Sequence, residues 1–259
     1  MQGIQSSLRS SVIRRSHHFA THRLASTTPI VELREYILSP EHATTYLKYT
    51  GDAVDLRKSL SPLRFFSLPE TGGQLMVATH AYYYAGGVTE RHERRSKMAQ
   101  NDDWKNYLAS CRPCVSTQSS LLYVEAPLVR EMEGVQGLAE LPAMPSDKPG
   151  ILEFRRYQLQ LGYETVPRFL DSYGKGLPSK LAAPGTDPST TLLTLLYSEV
   201  GYLNEVIEIW RHDGPAAMEV SRQAARGAAE WRAAIAEIAP LAQSFRSTIH
   251  VPTAFSPIR

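Results

Sequence analysis

Residues 30–36 read IVELREY and residues 151–157 read ILEFRRY, and whether that agreement is chance decides the fold. Ile-x-Glu-x-Arg-x-Tyr written twice, 121 residues apart, makes a chain of 259 residues a tandem array if the match extends. It does extend. Glu32, Arg34 and Tyr36 pair with Glu153, Arg155 and Tyr157. Further on, a shift of 127 residues lays Trp104 on Trp231, Arg95 on Arg222, Pro113 on Pro240, Ser120 on Ser247 and Val124 on Val251. The extra six residues of shift fall near Pro184-Gly185-Thr186-Asp187-Pro188, which has loop chemistry. The organisation expected is a leading segment 1–28, a first repeat 29–127, a linker 128–149 and a second repeat 150–259.

Each repeat reads in the same order. In the first, VELREYIL alternates as a strand, Pro40 opens a helix through Lys58, and PLRFFSL is a second strand. Pro69-Glu70-Thr71-Gly72-Gly73 turns into the strand QLMVATHAYYY, a helix runs from about Thr89 to Ala109, and SSLLYVE closes the unit. In the second, ILEFRRYQL, a helix over Tyr163–Leu181, the hairpin TTLLTLLYSEV and LNEVIEIWR, an Ala-rich helix over Ala216–Ala236 and FRSTIHV repeat the plan. This is β-α-β-β-α-β twice, the ferredoxin-like order of an α+β fold, with both helices on one face of an antiparallel sheet. The other face needs a cover, and two such sheets in one chain can supply it to each other. The expected architecture is an intrachain pseudo-dimer packed sheet to sheet.

Strand alternation then divides the duplicated letters. Val31, Leu33 and Ile37 are expected towards the helices, and Glu32, Arg34 and Tyr36 towards the partner sheet. Leu152 and Phe154 against Glu153, Arg155 and Tyr157 repeat the division. On the third strands the shift of 127 sets Tyr83 against Trp210 and Ala81 against Glu208. The candidate site is therefore Glu32, Arg34, Tyr36, Tyr83, Glu153, Arg155, Tyr157, Glu208 and Trp210, all between the sheets. Two readings compete: a ligand pocket, or a cross-strand ion-pair network that fixes how the sheets dock, because a buried guanidinium must be neutralised in place. By the same alternation His80 points with Tyr82 and Tyr84 away from the inter-sheet space.

Charge narrows the partners. The net charge of +2 hides an uneven distribution. Arg9, Arg14, Arg15 and Arg23 stand in a stretch without acids, and the chain beyond residue 31 carries −2. No basic stripe remains for a phosphate backbone, which argues against nucleic acid. The first 28 residues, rich in Arg and Ser, put Ile4, Leu8, Val12 and Ile13 along one side of a cationic helix. That composition is a mitochondrial presequence directing the chain to the matrix; a secretory signal would need a continuous apolar core. No later segment has the apolar length of a membrane span.

Other motifs weigh little. Cys111-Arg112-Pro113-Cys114 fits C-x-x-C, yet no further Cys exists, and the shift of 127 aligns the pair with Ile238 and Leu241. They read as small core fillers rather than as a redox or zinc site. No histidine pair has metal-ligand spacing, so neither a metal nor a cofactor is expected. Glycine-rich phosphate loops, nucleophile elbows and paired catalytic carboxylates are absent from the sequence. Arg91, Arg94, Arg95 and Lys97 on the second helix read as a solvated face, or as a receiver for an acidic protein or an anionic lipid head group.

The two Glu-x-Arg-x-Tyr strands, the stretch TERHERRSKMAQNDDWKNYL at 89–108 and NEVIEIW at 204–210 resemble the NIPSNAP family of the dimeric α/β-barrel superfamily. The resemblance implies tandem domains, mitochondrial import and a scaffold that acts by binding proteins, in mitochondrial quality control (mitophagy), rather than by turnover. The superfamily's monooxygenases and haem proteins imply the alternative, an enzyme or a small-ligand or haem binder with its site between the sheets. Peripheral membrane contact and a homo-oligomer are compatible with either. The family strand carries His two places before a Trp. Here Glu208 stands there in the second repeat and, under the shift of 127, Ala81 in the first, with Tyr83 in place of the Trp. A role for that His is not carried over.

Overall fold

A computed structural model describes residues 27–142 and 149–259. Nearly all of the expected presequence, and residues 143–148 of the expected linker, lie outside the described residues. Eight strands alternate with helices in the order read from the sequence. In the first repeat these are β1 (Ile30–Leu38), α1 (Ala43–Asp52), α2 (Val54–Leu60), β2 (Leu63–Thr71), β3 (Val77–Tyr84), α3 (Gly87–Gln100), α4 (Asp102–Cys111) and β4 (Val115–Glu125). A short α5 (Leu128–Glu131) leads to the second: β5 (Ile151–Leu159), α6 (Thr165–Leu181), β6 (Thr191–Val200), β7 (Glu205–His212), α7 (Pro215–Gly227), α8 (Ala229–Ile238) and β8 (Ala242–Pro252). The single helix expected over Thr89–Ala109 is two, because the Asn101 side chain caps a new start by accepting from the Trp104 amide at 2.8 Å.

The two sheets join at their edges. Every pairing between these strands is antiparallel, and they close into one barrel in the order β1-β3-β2-β8-β5-β7-β6-β4. The β2·β8 and β4·β6 seams pair the hairpin strand of each repeat with the last strand of the other, so neither repeat keeps an open edge. An eight-stranded barrel has a lumen that side chains can fill. Val31, Leu33, Phe65, Tyr123, Leu152, Phe154, Ile207 and Ile209 pack much of this one, with the Phe65 and Phe154 rings 5.6 Å apart, and a cavity of about 230 Å³ remains beside Glu35, Thr79 and Arg156.

This corrects the assignment of faces. The Val31, Leu33, Leu152 and Phe154 set lies between the repeats, and the Glu-Arg-Tyr sets lie outside, under the helices. Alternation separates two sets of side chains but does not say which set is inside. The apolar set packs against its counterpart across the lumen, whereas the helix layer brings its own cations and hydroxyls to meet buried carboxylates. The lumen does hold an ion pair, of other residues. Glu35 and Arg156, the same position in the two repeats, meet across it at 2.6 Å.

A second correction concerns register. The offset between repeats is 121 at β1/β5, 129 at β2/β6, 128 at β3/β7 and 127 at β4/β8. Glu32 is opposite Tyr82 and Arg34 opposite His80, as Glu153 is opposite Trp210 and Arg155 opposite Glu208. Tyr82 therefore stands in the place of Trp210, and His80 in the place of Glu208. A slip of one residue turns a side chain to the other face of the sheet. Accordingly Tyr83 points into the lumen, packed with Val31 and Leu33, apart from the other candidate residues.

Candidate functional site

On the helix side of β5, Glu153, Arg155 and Tyr157 stand in a row, and β7 sets His212, Trp210 and Glu208 beside them. Glu208 is completely buried and has five neighbours able to stabilise its charge. It accepts from Tyr157 at 2.6 Å, from Tyr173 on α6 at 2.8 Å and from the Trp210 indole at 2.6 Å. Arg155 Nε lies 3.5 Å away and Lys180 Nζ, also on α6, 3.6 Å. Burial pushes such a carboxyl up, but the two cations and the three donors outweigh it, and Glu208 sits below the usual carboxylate range. Glu153 has the same fate: burial opposes, while His212, Arg222 and Arg155 hold it well down. Arg222 on α7 and Ser247 on β8 donate to it at 2.6 and 3.0 Å.

The helices do not close over this row. They leave a cavity of about 730 Å³ between the sheet and α6, α7 and α8. Trp210, Trp231, Tyr157 and Phe245 form its aromatic walls, and Ile235, Ile238 and Ala225 its apolar roof. Lys180 Nζ is held 3.7 Å from the Trp210 ring centre and 4.4 Å from that of Trp231. Its desolvation outweighs the pull of Glu208 and brings the ammonium down to about 8. At the other end the His212 ring shares a hydrogen bond of 2.9 Å with Thr190, which bonds Ser221 at 2.7 Å, and His212 Nε2 faces Glu153 at 3.5 Å. Arg155, Lys180, Arg222, Arg226 and Arg232 line the space with Glu153 as the lining carboxylate, so its charge is positive. In size and lining it suits a small organic molecule.

The first repeat builds the same frame and fills it. Arg91 and Ser120 donate to Glu32 at 2.7 and 2.6 Å, as Arg222 and Ser247 do to Glu153. Arg57 on α2 takes the place of Lys180, next to Trp104 and Tyr107, and donates to the Tyr82 and Tyr107 hydroxyls. Under the offset of 127, Met98 and Tyr107 become Ala225 and Ala234 in the second repeat. Ala234 sits so close to Gly176 of α6 that a Cβ there would be 2.5 Å from its own. Large side chains leave about 70 Å³ in the first repeat where small ones leave the chamber in the second.

Glu153, Arg155, Tyr157, Glu208 and Trp210 are thus gathered at one site; Glu32, Arg34 and Tyr36 belong to its filled counterpart, and Tyr83 to neither. The sequence reading missed Lys180, Tyr173, His212, Arg222, Trp231 and Ser247. Two of these carried a signal, since Trp231 and Ser247 recur as Trp104 and Ser120, a recurrence read as proof of duplication and not as a site; Arg222 aligns with Arg95, but Arg91 is the arginine that meets Glu32. Cys111 and Cys114 are free and buried in the first repeat's core, as core fillers would be. Of the cluster on α3, Arg91 and Arg94 are committed to Glu32 and Glu90, so it is not a plain solvated face.

Two ferredoxin-like repeats closed into one eight-stranded barrel define a dimeric α/β-barrel protein with both halves on a single chain. The NIPSNAP domain matches twice, over residues 31–129 and 152–257, and the chain belongs to the NIPSNAP family. Protein NipSnap homolog 3B of Mus musculus is 22% identical over 241 residues, covering 93% of this chain and 90% of its own length. NipSnap homolog 3A of Homo sapiens is 22% identical over 229 residues, covering 88% and 85%. Among solved structures, a candidate monooxygenase from Fusobacterium nucleatum superposes with a TM-score of 0.62 at 12% identity, covering 87% of this chain and 93% of that one. At that identity the likeness concerns the fold.

Proposed function

We propose that this chain is a binding protein whose second repeat holds a small anionic molecule with an aromatic or branched apolar body. The observation that supports the reading is the chamber of about 730 Å³, walled by Trp210, Trp231 and Phe245 and charged by Lys180, Arg155 and Arg222. Its ionisable groups favour binding over turnover. Glu208 is pinned by its neighbours and held below the usual range, so it is a poor base near neutral pH, and Lys180 is clasped between two indoles. The alternative of a ligand site between the sheets has less room: apolar side chains pack much of the lumen, and the cavity left there, beside Glu35 and Arg156, is about 230 Å³. The test is mass spectrometry of small molecules released from the purified protein, followed by titration with aromatic carboxylates read by indole fluorescence. Binding that weakens in Lys180→Met and Trp231→Ala is the expected result. A chain that releases nothing and shows no saturable quenching would refute it.

Residues 1–28 are proposed to carry the chain into the mitochondrial matrix, on the strength of their acid-free, Arg-rich composition. A chain lacking residues 2–28 is expected to fold and stay in the cytosol; continued import would refute the assignment. A role through protein contacts, in mitochondrial quality control as the resemblance implies, draws on an exposed apolar rim. Leu161 and Tyr163 stand beside Tyr202 and Leu203 on two loops tied together by Asn204, which donates to the Gln160 and Gly162 carbonyls. Tyr163→Ser with Tyr202→Ser should reduce crosslinking to other mitochondrial proteins and spare ligand binding; unchanged crosslinking would exclude this rim.

A further inference from the structure

We propose that the first repeat carries a second, separate site for a phosphate-type oxyanion, formed by Arg34, Arg57, Arg95 and Arg112. The four guanidinium groups line one small cavity of about 70 Å³ with Tyr36, Trp104, Tyr107 and Gln118, and no carboxylate is among its lining residues. That is an unusual balance for buried charge, and each arginine contributes to it differently.

Arg57 is the central case. It is 3% exposed, donates to two phenol oxygens, and leaves its Nε without a hydrogen-bond partner. Among the described residues no carboxylate lies in salt-bridge reach of it, although a buried guanidinium cannot shed its proton and is strongly destabilised without a counter-charge. The second repeat shows what neutralisation would require. There the cation at the same place, Lys180, has Glu208 at 3.6 Å. Here His80 occupies the position of Glu208. Both of its ring nitrogens lack partners, and burial together with Arg57, Arg34 and Arg95 keeps the ring neutral. The frame retains the cation and has lost the acid.

The neighbours do not make up the loss. Arg34 has only Glu32, at 3.7 Å, and that carboxylate is already taken by Arg91, Ser120 and Tyr84. Of the three arginines on α3, Arg91 and Arg94 have acids of their own. Arg95 has none among the described residues, and it is the one that lines the cavity. At about 70 Å³ the space is roughly a tenth of the chamber in the second repeat. That suits an oxyanion head group rather than a whole metabolite. Guanidinium forks match such an anion by paired, charge-assisted hydrogen bonds. Exposed Arg112 and Gln118 form the mouth, where the organic part of a phosphate ester would emerge.

The site can be read without reference to the chamber of the second repeat. The chain has three tryptophans, and Trp104 alone borders this cavity. The indole N–H resonances of the full chain are followed while inorganic phosphate, and separately phenyl phosphate, is added at constant ionic strength. The expected result is a saturable shift of Trp104 with Trp210 and Trp231 unmoved, and a rise in the titration midpoint of the His80 ring as the arginines are neutralised. Arg95→Gln, at a half-buried position that leaves the fold intact, should weaken binding about tenfold or more. Saturation by inorganic phosphate assigns the site to the free anion, and saturation by phenyl phosphate alone assigns it to an ester. If neither anion moves Trp104, if Trp231 moves in its place, or if folded Arg95→Gln binds as the parent does, the proposal is wrong.

Discussion

Glu208→Gln tests the reasoning about the chamber at its most demanding point. The change alters one atom and removes one charge at a place with no exposure to solvent. A glutamine oxygen can still accept from one or two of Tyr157, Tyr173 and Trp210. Its amide group then confronts the remaining donor, which loses its partner at a cost of about 1–3 kcal/mol. Arg155 and Lys180, at 3.5 and 3.6 Å, lose their counter-charge. Removing one member of a buried pair costs about 3–5 kcal/mol, and two features place this case near the lower bound. Arg155 is 22% exposed, so water screens part of its charge, and Lys180 can release its proton. About 3 kcal/mol is expected, equivalent to a fall of roughly 6–12 °C in Tm for a chain of this size. The assay is chemical denaturation of Glu208→Gln, Lys180→Met and the double variant. The double variant should be more stable than the sum of the single effects by at least about 1 kcal/mol, because Lys180→Met removes a cation that Glu208→Gln leaves stranded. A Glu208→Gln protein within about 0.5 kcal/mol of the parent, or strictly additive effects, would refute the network as described.

The ammonium of Lys180 makes a prediction about pH. Its folded value of about 8 lies below the ordinary 10.5, so between these values the unfolded chain binds the extra proton and stability rises with pH, by roughly 3 kcal/mol in all. Denaturation of the parent against Lys180→Met from pH 7 to 10.5 should show that gain in the parent alone. Phe154→Ala, fully buried in the lumen, should cost about 3–5 kcal/mol and leave ligand binding in the chamber intact. Phe245→Ala, on the half-exposed chamber wall, should do the reverse; interchanged effects in calorimetry would mean that lumen and chamber have been confused. Cys111 packs in the first repeat's core, so Cys111→Ala should cost at most a few kcal/mol, and because burial pushes its thiol up the parent should show neither a titratable disulfide nor bound zinc.

How much of this was legible beforehand follows from which interactions are local. Strand alternation, turn glycines and the recurrence of Glu-x-Arg-x-Tyr are properties of short stretches, so the sequence by itself determined the two repeats, the β-α-β-β-α-β order and the division of each first strand into an apolar and a polar set. The pairing of Arg155 with Glu153 and Glu208 was legible too, since a guanidinium under cover must find carboxylates and those were in strand reach. Which set faces the lumen was not legible. Alternation is the same for a strand and for its mirror placement, and the choice depends on what lies over each face. That is settled only when Arg91, Arg222, Tyr173 and Lys180 arrive from helices distant in sequence. Tyr83 was misplaced because an alignment without gaps cannot see an offset that changes from 129 to 127 across β2, β3 and β4, and one residue of error in a strand exchanges inside for outside. The chamber itself is a difference of volumes. Tyr107 and Met98 against Ala234 and Ala225 read as ordinary apolar substitutions along the chain, and only the packing of α6 on α8 at Gly176 turns them into about 730 Å³ of space beside Lys180.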